Sequence, residues 1–298
     1  MIVIGSRGSK LALWQAHHIA ARLAELGAET KIEIIKTTGD KITDVPLAKV
    51  GGKGLFTKEI EEALLARAID VAVHSLKDMP AEIPAGLTLS AIPEREDPRD
   101  ALVGLSLAEL SAGSRVGTSS LRRAAQLRAL GRGMITETLR GNVDTRLRKL
   151  DEGEYDAIVL AAAGLRRLGW QDRIRELIPV EAMCPAVGQG ALAIETRDDG
   201  GAAQRMVALL DHPATMTAVT AERAMLATLE GGCQVPIGGY ATFEQGTVHL
   251  RAIVASPDGA RIVRGERSGS DATKVGTELA RELLERGARE ILQEVYAA

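Results

Sequence analysis

Near its start the chain reads IVIGSRGSKLALW (residues 2–14), an apolar run that passes through glycine and hydroxyl residues into a helical pattern. Ile2–Ser6 is predicted to be a strand and Lys10–Leu26 an amphipathic helix. The stretch RVGTSSLRR (residues 115–123) repeats the order of strand, glycine, hydroxyls and helix. Because single helices separate the short strands, the pattern predicts βαβ units and a mostly parallel sheet.

This alternation fills two blocks of the chain, which a charged, proline-containing segment, PEREDPRD (residues 93–100), separates. A second crossing is predicted at PAVGQG (residues 185–190), so the two blocks are expected to form a hinged pair. The tail has strand-like runs followed by a long helix from Asp271 to about Tyr296, which is typical of a small α+β domain. The predicted fold class is therefore α/β, with two α/β domains and a small α+β C-terminal domain. The predicted domains are residues 1–94 with 190–212, residues 98–186, and residues 214–298.

Composition argues against several classes of protein. The formal net charge of −3 gives no overall basic surface for nucleic acid or membranes, and aromatic residues make up only 2%, too few for stacking on single strands. Apolar runs fall short of the roughly 18 residues that span a membrane. Two cysteines make no disulfide framework, and the N-terminal residues do not resemble a signal segment. We expect a cytoplasmic monomer with no nucleic-acid or membrane partner.

Positive charge is concentrated in the middle of the chain. Residues 115–176 contain twelve arginines and Lys149, against eight acidic residues. This imbalance favours a local site for a small polyanion. The alternative is that the arginines pair with acidic residues on solvated helix faces.

Three turns combine a strand end, a glycine and arginines: residues 4–9, residues 116–123, and LRGNVDTR (residues 139–146). Free N–H groups at a helix N-terminus, together with arginine, bind carboxylates. Ligands of open α/β sheets collect at the carboxyl ends of strands, so the three turns are expected to converge on one cleft. Simple N-capping by serine or threonine is the alternative. Asp144 places an acid in the third turn, which could perturb carboxylate binding there.

Two further segments carry polar side chains. VHSLKDMP (residues 73–80) ends a predicted strand, and Asp78 is a candidate for proton transfer or for stabilising a cation, unless it only supports a turn before Pro80. KVGGKGLF (residues 49–56) departs from the P-loop pattern, so a mobile lid over residues 37–55 is predicted instead. The five histidines show no metal-ligand spacing, and no metal is predicted.

The loop EGGCQVPIGGY (residues 230–240) presents Cys233 among small residues. Such a loop gives a thiol the access that it needs to react, whereas structural cysteines more often lie inside apolar elements. A thiol of this kind in an arginine-rich protein suggests a covalent tether for an acidic ligand. An inert cysteine remains the alternative, and Cys184 is expected to be inert.

Taken together, these motifs resemble the porphobilinogen deaminase (hydroxymethylbilane synthase) family over nearly the whole chain. One motif is modestly specific, but the ordered set is highly specific. The motifs, in order, are LALWQA (residues 11–16), KVGGKGLF (49–56), HSLKD (74–78), EREDPRD (94–100), GTSSLRR (117–123), LRGN (139–142), PAVGQG (185–190) and EGGC (230–233).

The resemblance implies a fold, a cofactor and a reaction. Two domains would resemble type II periplasmic binding proteins, and a third would carry the cysteine. A dipyrromethane cofactor would be attached to Cys233 by a thioether and serve as primer. Four molecules of the substrate, porphobilinogen, would be added with loss of ammonia, and water would release hydroxymethylbilane for tetrapyrrole (heme) biosynthesis.

The resemblance also implies residue roles, with Asp78 as the catalytic carboxylate. Arginines would neutralise the acetate and propionate groups, since their planar forks suit carboxylates. The cofactor residues would be Cys233, Lys77, Asp78, Thr118, Ser120, Arg122, Arg123, Arg140, Gly141 and Arg146. The substrate residues would be Arg7, Ser9, Phe56, Asn142, Arg167 and Gln189, and the lid would contribute Lys49 and Lys53. Phe56 could stack on a pyrrole or simply fill the core.

Two other functions are compatible with parts of this pattern. A two-lobed anionic solute-binding protein without catalysis would use the same hinge and anion cleft, but the Cys233 loop and the N-terminal sequence speak against it. A transferase that uses Cys233 as a transient nucleophile is the second alternative.

Overall fold

A computed structural model describes residues 1–41, 55–231 and 235–297. The strands are β1 (Ile2–Ser6), β2 (Thr30–Ile34), β3 (Val71–Ser75), β4 (Leu87–Ala91), β5 (Asp100–Gly104), β6 (Arg115–Gly117), β7 (Ile135–Glu137), β8 (Ala157–Ala161), β9 (Glu176–Leu177), β10 (Leu192–Arg197), β11 (Ile237–Glu244), β12 (Thr247–Ala255) and β13 (Ile262–Gly269). The α-helices are α1 (Lys10–Glu25), α2 (Thr38–Lys41), α3 (Lys58–Leu65), α4 (Leu121–Ala129), α5 (Val143–Asp151), α6 (Ala162–Arg167), α7 (Ala202–Ala208), α8 (Pro213–Thr228), α9 (Ala272–Leu283) and α10 (Arg289–Ala297).

The chain folds into two compact units. The first contains Met1–Glu96 and Ala191–Met216, and the second contains Asp97–Gly190 and Thr217–Ala298. The chain thus passes from one unit to the other three times. The three domain ranges predicted from the sequence divide the chain more finely than these units and stay a prediction.

The first unit is built on a five-stranded sheet in the order β2-β1-β3-β10-β4. β1 pairs in parallel with β2 and β3, whereas β10 runs antiparallel between β3 and β4. The first four residues of β3 are buried, as expected for an apolar central strand covered on both faces. Helices α1 and α7 pack on one face of the sheet, and α3 packs on the other.

The larger sheet of the second unit repeats this topology in the order β7-β6-β8-β5-β9. β6 pairs in parallel with β7 and β8, and β5 runs antiparallel between β8 and β9. In each sheet the antiparallel strand is the one that follows a passage of the chain between units. Four of the five strands in each sheet therefore point the same way, and the predicted α/β class is confirmed.

The C-terminal part of the second unit has an antiparallel sheet, β11-β12-β13, with α8, α9 and α10 packed around a shared apolar core. The single helix predicted from Asp271 to about Tyr296 was wrong in one respect. Gly287 has a φ of 104°, which ends the regular helix at a π-helical turn, Leu284–Ala288, between α9 and α10. Only glycine adopts this backbone conformation readily, so the sequence places the break there.

Candidate functional site

In the first unit, polar residues follow two neighbouring parallel strands. Arg7 and Ser9 come directly after β1, and Lys77 and Asp78 come after β3. Because β1 and β3 pair in parallel, both turns lie at the same edge of the sheet. The Ser9 hydroxyl accepts a hydrogen bond of 3.2 Å from the Ala12 N–H and caps α1.

The Asp78 turn is a single 3₁₀ turn, Leu76–Asp78, anchored from below. The Leu76 side chain is buried, and its N–H donates to the Ala191 carbonyl at 3.0 Å. The Gln15 amide donates to the Ser75 hydroxyl at 2.9 Å and so joins α1 to the end of β3. Asp78 itself is exposed and Lys77 is half-buried. The turn therefore presents a carboxylate to solvent from a fixed backbone.

Phe56 lies beside Arg7, whose guanidinium carbon is 4.1 Å from the centre of the aromatic ring. Such a cation–π contact contributes roughly 0.5–2 kcal/mol. The ring also covers Gly39, where a side chain would overlap it. Phe56 thus packs against the Arg7 turn and Gly39.

In the second unit, two of the predicted turns lie side by side at the carboxyl ends of β6 and β7. The Thr118 N–H donates to the Glu137 carbonyl at 2.8 Å, and the Ser119 hydroxyl donates to the Leu139 carbonyl at 2.6 Å. The Ser120 hydroxyl accepts a long bond of 3.4 Å from the Arg123 N–H, which caps α4.

The Arg140–Asn142 turn leads into α5, with Gly141 at a φ of 109°. The Arg146 Nε donates to the Gly141 carbonyl at 2.8 Å, so this arginine folds back onto the turn. The Asp144 carboxylate accepts the neighbouring Thr145 N–H at 2.9 Å, a bond that it makes within its own helix turn. Asn142 is exposed.

Beneath these turns lies a buried polar group that we call the Asp100 cluster: Asp100, Arg122, Arg123 and Gln189. Arg122 Nη1 and Arg123 Nε donate to the Asp100 carboxylate at 2.7 and 2.9 Å. The Gln189 amide donates to the same carboxylate at 2.9 Å. Asp100 is fully buried, and both arginine side chains are less than a tenth exposed.

The Asp100 cluster carries a net positive charge. Burial alone would raise the pKa of Asp100, but the charges of Arg122 and Arg123 outweigh it and hold the pKa well below its usual range. Burial lowers the pKa of Arg123. Two guanidinium groups share one carboxylate, which leaves positive charge in a region of low dielectric where it acts strongly.

The sequence pattern identified both arginines but not their partner. Asp100 stood in the segment assigned to a crossing, and its position at the start of β5 depends on strand pairing. Arg167 adds a further link, since its Nη2 donates to the Gly190 carbonyl at 2.6 Å and ties α6 to the turn at residues 185–190.

Three candidate residues, Lys49, Lys53 and Cys233, lie outside the described residues. The chain on both sides of Cys233 is anchored, because Leu229 and Val235 are buried in the same apolar core. Cys184, in contrast, is fully buried, and burial raises the pKa of its thiol to about 12. The Cys184 thiol is therefore unreactive.

Other features of the described residues lie away from these turns. A polar groove of about 550 Å³, lined by Asp151, Tyr155 and Arg173 among others, lies at the opposite edge of the larger sheet of the second unit. No described group of three or more histidine, cysteine or acidic side chains is arranged to hold a metal ion. Within the described parts of the chain, every helix is too short or too polar to cross a membrane.

Comparisons with known proteins match almost the whole chain. The family model for "Porphobilinogen deaminase, dipyromethane cofactor binding domain" matches residues 2–205, and that for "Porphobilinogen deaminase, C-terminal domain" matches residues 216–285. A curated porphobilinogen deaminase from Syntrophobacter fumaroxidans is 54% identical, over 100% of this chain and 99% of its own.

Among solved structures, a periplasmic substrate-binding protein of an ABC transporter from Coxiella burnetii is similar, with a TM-score of 0.45, 12% identity, and coverage of 75% of this chain and 97% of its own. The L-cystine solute receptor of Neisseria gonorrhoeae has a TM-score of 0.39, 13% identity, and coverage of 70% and 84%. Both scores are low, and the fold assignment rests on the strand orders described above.

Proposed function

The chain belongs to the porphobilinogen deaminase family, and from this premise we propose which of its residues carry the reaction. The enzyme is a transferase, a hydroxymethylbilane synthase, which joins four porphobilinogens head to tail with loss of ammonia and releases hydroxymethylbilane for tetrapyrrole biosynthesis. The observation that supports the assignment of the residues is the Asp100 cluster, in which two arginines share one carboxylate beneath the turns at residues 116–123 and 139–146.

The cofactor is dipyrromethane, and its chemistry suits the residues present. Its rings carry acetate and propionate groups, which require fixed cations and N–H donors. We assign its tether to Cys233 and its binding to Lys77, Asp78, Thr118, Ser120, Arg122, Arg123, Arg140, Gly141 and Arg146. When bound, dipyrromethane supplies the primer of the condensation. The buried guanidinium groups of the Asp100 cluster support this assignment through their charge, and the exposed turns above them through their donors.

For porphobilinogen we propose a second set of contacts, made by Arg7, Ser9, Phe56, Asn142 and Arg167, with Lys49 and Lys53 on a lid. Gln189, which is fully buried, would support this set from within the Asp100 cluster. The contact between Arg7 and Phe56 supports a shared role, because the ring restricts the guanidinium to a narrow range of orientations. Arginine held in this way binds a carboxylate with less loss of side-chain entropy than a free one.

Asp78 is the residue that we assign to the chemical step. Positive charge develops on the substrate pyrrole as ammonia leaves, and a nearby carboxylate stabilises this charge and accepts a proton. The support is its placement: Asp78 is exposed at the end of a turn whose neighbours Leu76 and Met79 are buried. A rigid backbone lets the carboxylate act without reorganising.

We also propose that the enzyme works as a cytoplasmic monomer without a nucleic-acid partner. The formal net charge of −3 and the aromatic content of 2% support the absence of such a partner. Light scattering coupled to gel filtration tests the oligomeric state, and a dimer mass would contradict the monomer.

The first experiment is the intact mass of the purified enzyme. We expect the wild-type mass to exceed the sequence mass by two condensed porphobilinogen units, and the excess to disappear in Cys233→Ser. Cys184→Ser is the matched control and should keep the excess, because that thiol is buried and unreactive. An unmodified wild-type mass that stays unchanged after incubation with porphobilinogen would remove the tether and favour a solute-binding protein.

A further inference from the structure

Three ionisable side chains are buried in the first unit, on the sheet face that α3 covers. We call them the polar trio: Glu61 of α3, His74 of β3 and Glu195 of β10. The His74 and Glu195 side chains are only 5% and 0% exposed, and the His74 Nε2 lies 3.1 Å from Glu195 Oε2. Glu61 is 8% exposed. None of the three belongs to the proposed cofactor or substrate contacts.

Burying the polar trio lowers the stability of the fold. Glu195 Oε1 and Glu61 Oε1 are both buried, and neither atom has a hydrogen-bond partner among the described residues. An unsatisfied buried polar atom costs about 1–3 kcal/mol, and more if it is charged. Ala72, two residues before His74, lies in an apolar cluster with Ile60 and Leu64. Apolar side chains at the three positions of the polar trio would therefore give a more stable fold.

The position of the polar trio links it to Asp78. His74 is the second-last residue of β3, and the strand leads through Ser75 into the Asp78 turn. In the antiparallel pair His74 is opposite Ala193, so its bond to Glu195 runs diagonally across to β10. The residue just before β10, Ala191, accepts the Leu76 N–H at 3.0 Å.

Beyond the antiparallel ladder, which ends with Ser75 opposite Leu192, the end of β3 is held to β10 at two points, one through the backbone at Leu76 and one through side chains at His74. A third contact, from Gln15 to Ser75, holds it to α1. The backbone and Gln15 contacts lie next to the turn on its sheet edge, whereas the bond from His74 to Glu195 secures the strand from within the core. Losing it would leave the buried Glu195 carboxylate without its hydrogen-bond donor, on the strand that pairs with β3.

We propose that His74 and Glu195 are positioning residues, whose buried hydrogen bond fixes the end of β3 and so orients the Asp78 carboxylate. This inference rests on the catalytic role proposed for Asp78. Imidazole suits the task because its Nε2–H donates to the carboxylate while the rigid ring keeps the direction of the bond.

The test compares His74→Leu, which removes the donor, with His74→Gln, whose amide Nε2 can still donate to Glu195. His17→Gln, at an exposed position of α1, is the matched control. Hydrogen exchange of the peptide covering residues 75–80 reports on the turn, and kcat and KM are measured on enzyme with its mass-verified cofactor. If His74→Leu does not fold, His74→Asn replaces it, because its shorter amide does not reach Glu195.

We expect His74→Leu to exchange faster across residues 75–80 and to lose about tenfold in kcat with KM changed less than about twofold, since misplacing a catalytic group slows the chemical step. His74→Gln should recover most of both. Unchanged exchange and kcat in His74→Leu would overturn the proposal. So would equal losses in the Leu and Gln variants with an equal fall in melting temperature, because the bond would then matter only for folding.

Asp78→Asn separates this inference from the assignment on which it rests. If Asp78→Asn turns over normally, the catalytic role of Asp78 fails, and the positioning inference fails with it. If Asp78→Asn is inactive while His74→Leu behaves as wild type, only the positioning inference fails.

Discussion

Asp100 is the residue on which Arg122 and Arg123 depend for their counter-charge. Its carboxylate accepts hydrogen bonds from Arg122, Arg123 and Gln189 in a place without solvent. Removing one partner of a buried ion pair typically costs 3–5 kcal/mol, because the opposite charge stays buried alone. Here two guanidinium groups would lose their counter-charge at once.

We therefore predict that Asp100→Asn lowers the free energy of unfolding by about 3–5 kcal/mol near pH 7. The pKa of Asp100 is depressed in the folded state, so its stabilisation is present above the unfolded pKa and is lost as pH falls. The difference from wild type should thus shrink below about pH 4. Urea denaturation between pH 3 and 8 measures it.

Asp151→Asn is the control for this prediction. Asp151 pairs with Arg173 at 2.5 Å, but its side chain is 56% exposed, so the change should cost no more than about 1 kcal/mol. Equal losses in the free energy of unfolding for the two variants would show that the Asp100 cluster stabilises the fold no more than a surface ion pair does.

At the scale of elements, local patterns predicted the strands and helices that flank the turns but not every pairing. Hydrophobic periodicity does not reveal strand direction, so it could not show that β5 and β10 run antiparallel to their neighbours. Asp100, the first residue of β5, follows prolines and charged residues, so its segment was assigned to a crossing between domains. In the structure Asp100 is paired with Ala161 in the sheet. The roles that we propose for Arg122 and Arg123 come from the sequence motif and its resemblance, whereas their shared partner required the tertiary structure.

The same limit applies to α3. The spacing of apolar residues Ile60 and Leu64 is typical of a helix, and both side chains face the sheet. Nothing in the pattern indicated that Glu61 is buried too, because its neighbours His74 and Glu195 come from strands far away in sequence. Long-range polar contacts of this kind are invisible to a local pattern.

Glu61 makes the packing of α3 on the sheet sensitive to pH. Burial raises the pKa of Glu61 above its ordinary value, and the charges of Glu195 and Glu62 add to this, while Thr57 and His74 oppose it. Its folded pKa is the higher one, so its contribution to stability is full below the unfolded pKa and is lost as pH rises through the folded pKa.

We predict that Glu61→Gln is close to wild type in melting temperature near pH 4 and becomes progressively more stable than wild type toward pH 8. A neutral amide avoids placing a charge in the core. Scanning calorimetry across this range measures the difference. Glu62→Gln, an exposed neighbour on the same helix, should change the melting temperature little. A parallel pH response in the two variants would contradict the prediction.

On the scale of the whole molecule, charge is unevenly distributed: the net charge is negative, but one segment is basic. The chain carries −3 overall, yet residues 115–176 hold twelve arginines and one lysine against eight acidic residues. Exposed pairs such as Arg148 with Glu152 balance part of this charge. Acidic residues outside the segment balance more of it, as Asp100 does for Arg122 and Arg123 and Glu109 does for Arg175. The basic groups that remain repel one another unless an anion binds.

A primer with several carboxylates would relieve this repulsion, so loading should stabilise the entire second unit. A tethered ligand that binds only the folded state adds about 2.7 kcal/mol when its effective concentration is 100 times its dissociation constant. For folding units of this size that is roughly 5–10 °C. We predict that Cys233→Ser, which lacks the tether, melts roughly 5–10 °C below the loaded wild type in calorimetry.

Adding citrate should narrow this difference in melting temperature, while sodium chloride at equal ionic strength should not, because only a polycarboxylate offers forked partners to the arginines. Equal melting temperatures for loaded and primer-free protein would mean that the arginine-rich turns are already neutralised within the chain, and the polyanion site would then have to lie elsewhere.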